Sequence, residues 1–163
     1  MARRILIILF VFIFFLDLFL LFAEGEKKAA DSIINSGDIK YQNAVLLYNI
    51  KRFDVALREF KEYIEIYLNG NHRKDVYQKI ASIYFERFDY IQSIKAYRTL
   101  YEEFSSSEEG IGAYYQMGIC YRKIGYDKKA IIIFKSIIKD YPNSNYAYLS
   151  KIQIDLHDIL RLK

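Results

Sequence analysis

GAYYQMGICYRKIGYDKKAIIIFKSIIKD, residues Gly112 to Asp140, decides how this chain folds. Tyr114, Met117 and Tyr121 recur at i, i+3 and i+7, the spacing of one apolar helix face, and Ala130, Phe134 and Ile137 do the same on a second. Gly118 has no side chain, so the second helix can approach the first closely. Gly125 is placed to stop the first helix, Asp127 to cap the second and Pro142 to follow its end. The stretch reads as an antiparallel helical hairpin.

The same pattern recurs upstream at a spacing of 37 residues. The small position between the helices reads Ala44, Ala81, Gly118. On the second helix the columns read Ala56, Ser93, Ala130, then Phe60, Tyr97, Phe134, then Tyr63, Leu100, Ile137; the closing aromatic reads Tyr67, Phe104, Tyr141. An unrelated helical bundle would not need that register. The first helix of the first copy is the most polar, with Lys40 and Asn43 where the later copies have Tyr77 and Ile80, then Tyr114 and Met117. An end repeat is expected to differ in this way, because nothing stacks on its outer side.

These residues resemble the tetratricopeptide repeat, whose aromatic, Leu-Gly, Tyr, Ala, Phe and Pro positions fall on Tyr114, Met117-Gly118, Tyr121, Ala130, Phe134 and Pro142. The resemblance implies an all-α, right-handed solenoid spanning 38–163, with three helix-turn-helix repeats at about 38–68, 74–104 and 111–142 and a capping helix over 144–163. On that helix Leu149, Ile152, Leu156 and Ile159 are expected to form the buried stripe, with Lys151, Asp155, Asp158 and Arg161 facing out. The junction Tyr141-Pro142-Asn143-Ser144 is also similar to that of bacterial envelope scaffolds of this type, such as the barrel-assembly lipoprotein and the Tol-Pal-associated periplasmic protein.

In this family the first helices line a groove that holds a protein or peptide. The resemblance places that groove on Tyr41, Val45, Tyr48 and Asn49, then Gln78, Ser82 and Phe85, then Tyr115, Ile119, Arg122 and Lys123. Such a surface would complement an extended segment with apolar side chains and an acidic end. Tyr48 and Phe85 are read both ways, as groove anchors or as packing between repeats. The clamp that holds chaperone tails uses Lys and Asn where this chain has Tyr41 and Val45, so the resemblance does not extend to it.

Residues 1–23 carry a different signal. Arg3 and Arg4 precede an apolar run from Ile5 to Phe22 interrupted only by Asp17, and Ala23 offers a cleavage position. At about 1.5 Å per residue the run nearly matches the roughly 30 Å hydrocarbon thickness, so a signal peptide and a signal anchor both fit. Asp17 favours cleavage, since a carboxylate at the centre of a spanning helix costs on the order of 2.5 to 3.5 kcal/mol. Leu21, a poor match to the small residue preferred there, favours retention. In both cases the repeats are expected outside the cytoplasmic membrane. Residues 24–37 read as a polar linker, with Ser36-Gly37-Asp38 a break before the first repeat.

Composition excludes more than it assigns. The net charge of +4 drops by only one when residues 1–23 go, and Lys and Arg are interspersed with Asp and Glu, so no basic stripe suits nucleic acid. Cys120, the only cysteine, is expected to be packed. His72 in the loop LNGNHRK and His157 on the last helix have no neighbouring ligand pattern, and no metal or cofactor is expected. Glu108 and Glu109 read as helix-start charges behind a capping Ser. Phosphate-loop, zinc and nucleophile-elbow motifs are absent, so the chain is read as a non-enzymatic scaffold with possible self-association. Its envelope role is expected to be that of an adaptor. The alternatives are a membrane-anchored subunit of a flagellar or secretion apparatus and a carboxylate-based glycan hydrolase of the cell wall.

Overall fold

The computed structural model describes the backbone of residues 2–161 and the side chains of residues 19–160 apart from 30 and 34. The leader expectation for Ile5 to Asp17 therefore lies outside the described side chains. Among those that are described, no helix is long and apolar enough to cross a membrane. The described residues form seven helices and no strand: α1 (Ala2–Asn49), α2 (Phe53–Ile66), α3 (Arg73–Glu86), α4 (Tyr90–Phe104), α5 (Glu108–Lys123), α6 (Asp127–Asp140) and α7 (Asn145–Arg161).

The chain divides into two units, residues 1–39 and 40–163. The first is helical throughout its described backbone, so neither the polar linker nor the break at Ser36-Gly37-Asp38 is a loop. A lone Gly costs a helix only about 1 kcal/mol, and no Pro interrupts the run. Phe19, Leu20, Leu21 and Phe22 of this unit are exposed.

The second unit is built as the 37-residue register requires. Ala44 and Ala81, Ala56, Ser93 and Ala130, Phe60 and Phe134, Tyr63, Leu100 and Ile137 are essentially inaccessible. A Cβ placed on Gly118 would come within 2.5 Å of the Phe134 ring, so the close approach of α5 and α6 depends on that glycine. The apolar interior forms two clusters. One gathers Ala44, Phe60, Tyr63, Val76 and Ile83; the other runs from Ile94 and Tyr97 to Met117, Phe134 and Ala147. Ala96 packs against both.

Each hairpin turns through one left-handed residue. These are Lys51 (φ 59°), Phe88 (φ 61°) and Gly125 (φ 79°), again 37 apart. Only the third copy has the residue that adopts this conformation without a steric cost. The helix after the turn starts with Phe53, Tyr90 or Asp127, and Asp127 is its first helical residue rather than its cap, which is Tyr126. The Ser caps hold: Ser107 Oγ accepts from Gly110 N at 3.1 Å, and Ser144 Oγ from Ala147 N at 3.1 Å.

The capping helix departs from its expected orientation. Ala147 and Ser150 are its buried residues, Leu149 and Ile154 pack against the core, and Ile152, Leu156 and Ile159 are exposed at 41, 43 and 58 %. The stripe at Leu149, Ile152, Leu156 and Ile159 satisfies helical spacing, but an adjacent face with small residues lets α7 settle closer on α5 and α6. Gly112 receives the Tyr146 ring there, whose hydroxyl lies 2.6 Å from where a Cβ would stand.

Candidate functional site

The first helices of the three repeats, the end of α1 and then α3 and α5, are the elements on which the groove was expected. Several residues assigned to it are spent on joining repeats. Tyr41 stacks on His72 with ring centroids 3.9 Å apart and donates its hydroxyl to Asp75 Oδ2 at 2.6 Å. Burial and that carboxylate push the Tyr41 hydroxyl pKa well above its ordinary value. The loop histidine is therefore an aromatic spacer between the first two repeats.

Tyr48 packs on Phe53 and has the Lys79 ammonium 4.8 Å above its ring. Phe85 packs edge-on against Tyr90 at 5.3 Å. Tyr115, expected as a groove anchor, is a core residue at 8 % exposure, between Phe134 and Tyr146 at 5.6 Å from each ring. Arg122 donates to the Gln153 side chain and so ties α5 to α7. Aromatics at helical spacing serve packing first, and here the next helix lies over them.

What remains open is more polar. Asn49, Gln78 and Lys123 are exposed, and Val45, Ser82 and Ile119 are half-buried. A crevice of about 390 Å³ opens between α3, α5 and α7, and only Gln78 and Ser82 of the expected residues line it. The others are Tyr97, Leu100, Glu108, Glu109, Gly112, Ala113, Gln116 and Tyr146. In the sequence Glu108 and Glu109 read as helix-start charges; their place about two turns before Tyr115, near side-chain-free Gly112, was the available signal.

Charge divides α5 along its length. Glu108 and Glu109 stand at its start and Arg122 and Lys123 at its end, which also matches the helix dipole. A backbone N–H, the Ser107 hydroxyl and then Lys74, whose Nζ donates to Glu109 Oε1 at 3.2 Å, hold the Glu109 carboxyl below its usual range. Burial first, and then the charges of Glu108 and Glu109, raise the Tyr146 hydroxyl. The crevice is thus an acidic, hydrogen-bonding site whose Glu109 stays ionised, the opposite of what a general acid needs.

Cys120 is fully buried with Sγ 3.5 Å from Ser93 Oγ, which itself donates to the Ala81 carbonyl at 3.0 Å. Burial raises the thiol pKa, so the thiolate, the reactive form, is disfavoured. Among the described residues no group of three His, Cys, Asp or Glu is placed to hold a metal ion.

Residues 112–144 match the family model of the tetratricopeptide repeat. The chain is similar in fold to the N-terminal domain of stress-induced protein-1 (STI-1) from C. elegans, at 15 % identity and a TM-score of 0.62, covering 73 % of this chain and 94 % of that one. It is also similar to the Arabidopsis OM64 TPR domain, at 15 % identity and a TM-score of 0.58, covering 77 % and 98 %. No curated protein matches the chain. The fold is an all-α tetratricopeptide-repeat solenoid, a class of domain that generally mediates protein–protein interaction and is typically non-enzymatic.

Proposed function

We propose that this protein is a non-enzymatic adaptor that binds an extended protein segment along its first helices, outside the cytoplasmic membrane, in assembly of the cell envelope. The observation that carries the binding reading is the crevice between α3, α5 and α7. It offers the amides of Gln78 and Gln116 and the Ser82 hydroxyl for a peptide backbone, with the carboxylates of Glu108 and Glu109 in its wall, while Lys123 stands outside it at the far end of α5. A segment lying along α5 is complementary if its cationic end meets Glu108 and Glu109 and its acidic end meets Lys123. The half-buried Val45 and Ile119 supply apolar contact on either side.

The location rests on the leader: Arg3 and Arg4 ahead of Ile5 to Phe22, and Ala23 before Glu24. One experiment tests both parts. A photo-crosslinking residue is placed at Gln78 or, as a control, at exposed Lys95 of the full-length protein in cells, and the N-terminus of the recovered protein is read by mass spectrometry. Adducts at position 78 only, lowered at least about tenfold by Glu108→Lys, are expected. The protein is expected in the envelope fraction, starting at Glu24 if the leader is cleaved or at Met1 or Ala2 if it is an anchor. Equal adducts at both positions would remove the groove from the proposal, and an uncleaved chain in the cytosol would remove the location.

A further inference from the structure

The outer face of α7 is apolar. Tyr148, Ile152, Leu156, Ile159 and Leu160 lie along it at 66, 41, 43, 58 and 57 % exposure. In the 37-residue register Ile152, Leu156 and Ile159 occupy the columns of Tyr115, Ile119 and Arg122 on α5. There α7 covers that face, through Tyr146 against Tyr115 and Gln153 against Arg122. Among the described residues nothing covers the same face of α7.

The charges beside this stripe say what does. Lys151, Asp155 and Asp158 lie along one flank, all exposed, and among the described residues none of them has an ion pair. In a second α7 laid parallel, the two copies of this flank would lie on opposite sides of the seam, so Lys151 would have no Asp155 or Asp158 opposite it. Laid antiparallel about a two-fold axis, Ile152 faces Leu156 and Tyr148 faces Leu160, and both Lys151 ammonium groups sit between Asp155 and Asp158 of the other copy. The stripe and its flank are complementary to themselves, which is the requirement of an isologous two-fold interface.

We propose that α7 is a self-association helix, through which two copies of this chain pair antiparallel across Ile152 and Leu156. The pairing joins two solenoids at their C-terminal ends and makes one particle with two binding crevices, and it does not depend on what those crevices hold.

The test is sedimentation equilibrium of the full-length chain in density-matched non-ionic detergent. A single helix per copy is a small interface, so a monomer–dimer equilibrium in about the micromolar to hundred-micromolar range is expected. Ile152→Glu with Leu156→Glu should weaken it at least about tenfold, as should Lys151→Asp alone or Asp155→Lys with Asp158→Lys alone. Mixing these last two variants should restore association, because the reversed charges then face each other. A copy carrying Ile152→Cys should form a disulfide with a copy carrying Leu156→Cys and not with itself, since its own equivalent lies beyond the roughly 7 Å limit for bridged Cα atoms. Circular dichroism confirms that each variant is folded.

A monomer throughout that range would overturn the proposal. So would a dimer that survives Ile152→Glu with Leu156→Glu, which would place association elsewhere, the leader included. Ile152→Cys pairing with itself would show a parallel arrangement. Loss of the dimer in Leu46→Glu with Ile50→Glu, two exposed residues at the opposite end of the solenoid, would show head-to-tail stacking instead.

Discussion

The first and last junctions of the solenoid repeat one geometry with different chemistry. Between repeats one and two the apolar cluster, with Ala44, Phe60, Val76 and Ile83 inaccessible, is the smaller of the two, and polar and aromatic contacts flank it. Lys40 Nζ donates to Glu59 Oε2 and Glu62 Oε2 at 2.8 and 2.7 Å within the first repeat, while Tyr41 reaches Asp75 and Arg87 reaches Asp54 across the junction. From repeat two to α7 the interior is almost wholly apolar, with Cys120, Ala130, Phe134 and Ile137 inaccessible to solvent. Exposed ion pairs contribute little and are screened by salt, whereas burial of an apolar side chain contributes about 1.5 to 3 kcal/mol. The C-terminal part should therefore be the stable part and the first repeat the one that opens first.

The largest test of that contrast is Gly118→Leu. The Phe134 ring already stands 2.5 Å from an added Cβ, so α5 and α6 must separate. Loss of the third repeat and most of the melting cooperativity is expected in differential scanning calorimetry, and even Gly118→Ala should cost about 1 to 3 kcal/mol. Gly112→Ala should cost less, because the atoms it meets are at the far end of the Tyr146 side chain, which can swing aside.

Alkaline pH gives the next effect. Burial raises the Tyr97 pKa from about 10 to about 12, so folding favours its protonated form. Its contribution is whole below pH 10 and is lost as pH rises through 12, on the order of 2 kcal/mol in all. The hydrogen bonds to Glu59 and Glu62 likewise raise the Lys40 pKa, so the first repeat loses that support in the same direction, above the ordinary lysine range. A melting temperature level from pH 8 to 10 and falling from 10 to 12 is expected, with the fall reduced in Tyr97→Phe.

Tyr41→Phe keeps the ring stacked on His72 and removes the bond to Asp75. A loss of about 1 kcal/mol is expected, seen as faster amide exchange in α2 and the start of α3 with α5 and α6 unchanged. Equal acceleration across all helices would show that the two junctions melt as one unit. The smallest change is a gain: Lys51→Gly or Phe88→Gly should stabilise by about 0.5 to 1 kcal/mol in chemical denaturation, because each relieves a left-handed residue that Gly125 already accommodates.

The positions that were legible share one property. Ala44, Ala81 and Gly118, and the columns of Phe60 and Tyr63, face a partner helix within the same repeat, and a local hairpin repeats its packing wherever the sequence repeats. The groove was less legible because its residues face the next repeat as well. Tyr115 and Ile152 stand in the same column, yet one is 8 % and the other 41 % exposed, since α7 covers the first and no described helix covers the second. The acidic pair at Glu108 and Glu109 was visible as charge, but its place beside Gly112 and Tyr146 required the third helix of the junction.

The sequence by itself determined the repeat, its period, the hairpin turn at Gly125 and the small residues that let helices meet, because these depend on contacts between segments a few residues apart along the chain. Only the tertiary structure decided which face of α7 is buried, which aromatics are spent between repeats and where the crevice opens. Those outcomes depend on how closely one repeat settles on the next, and spacing along a helix states which residues share a face without stating what lies opposite it.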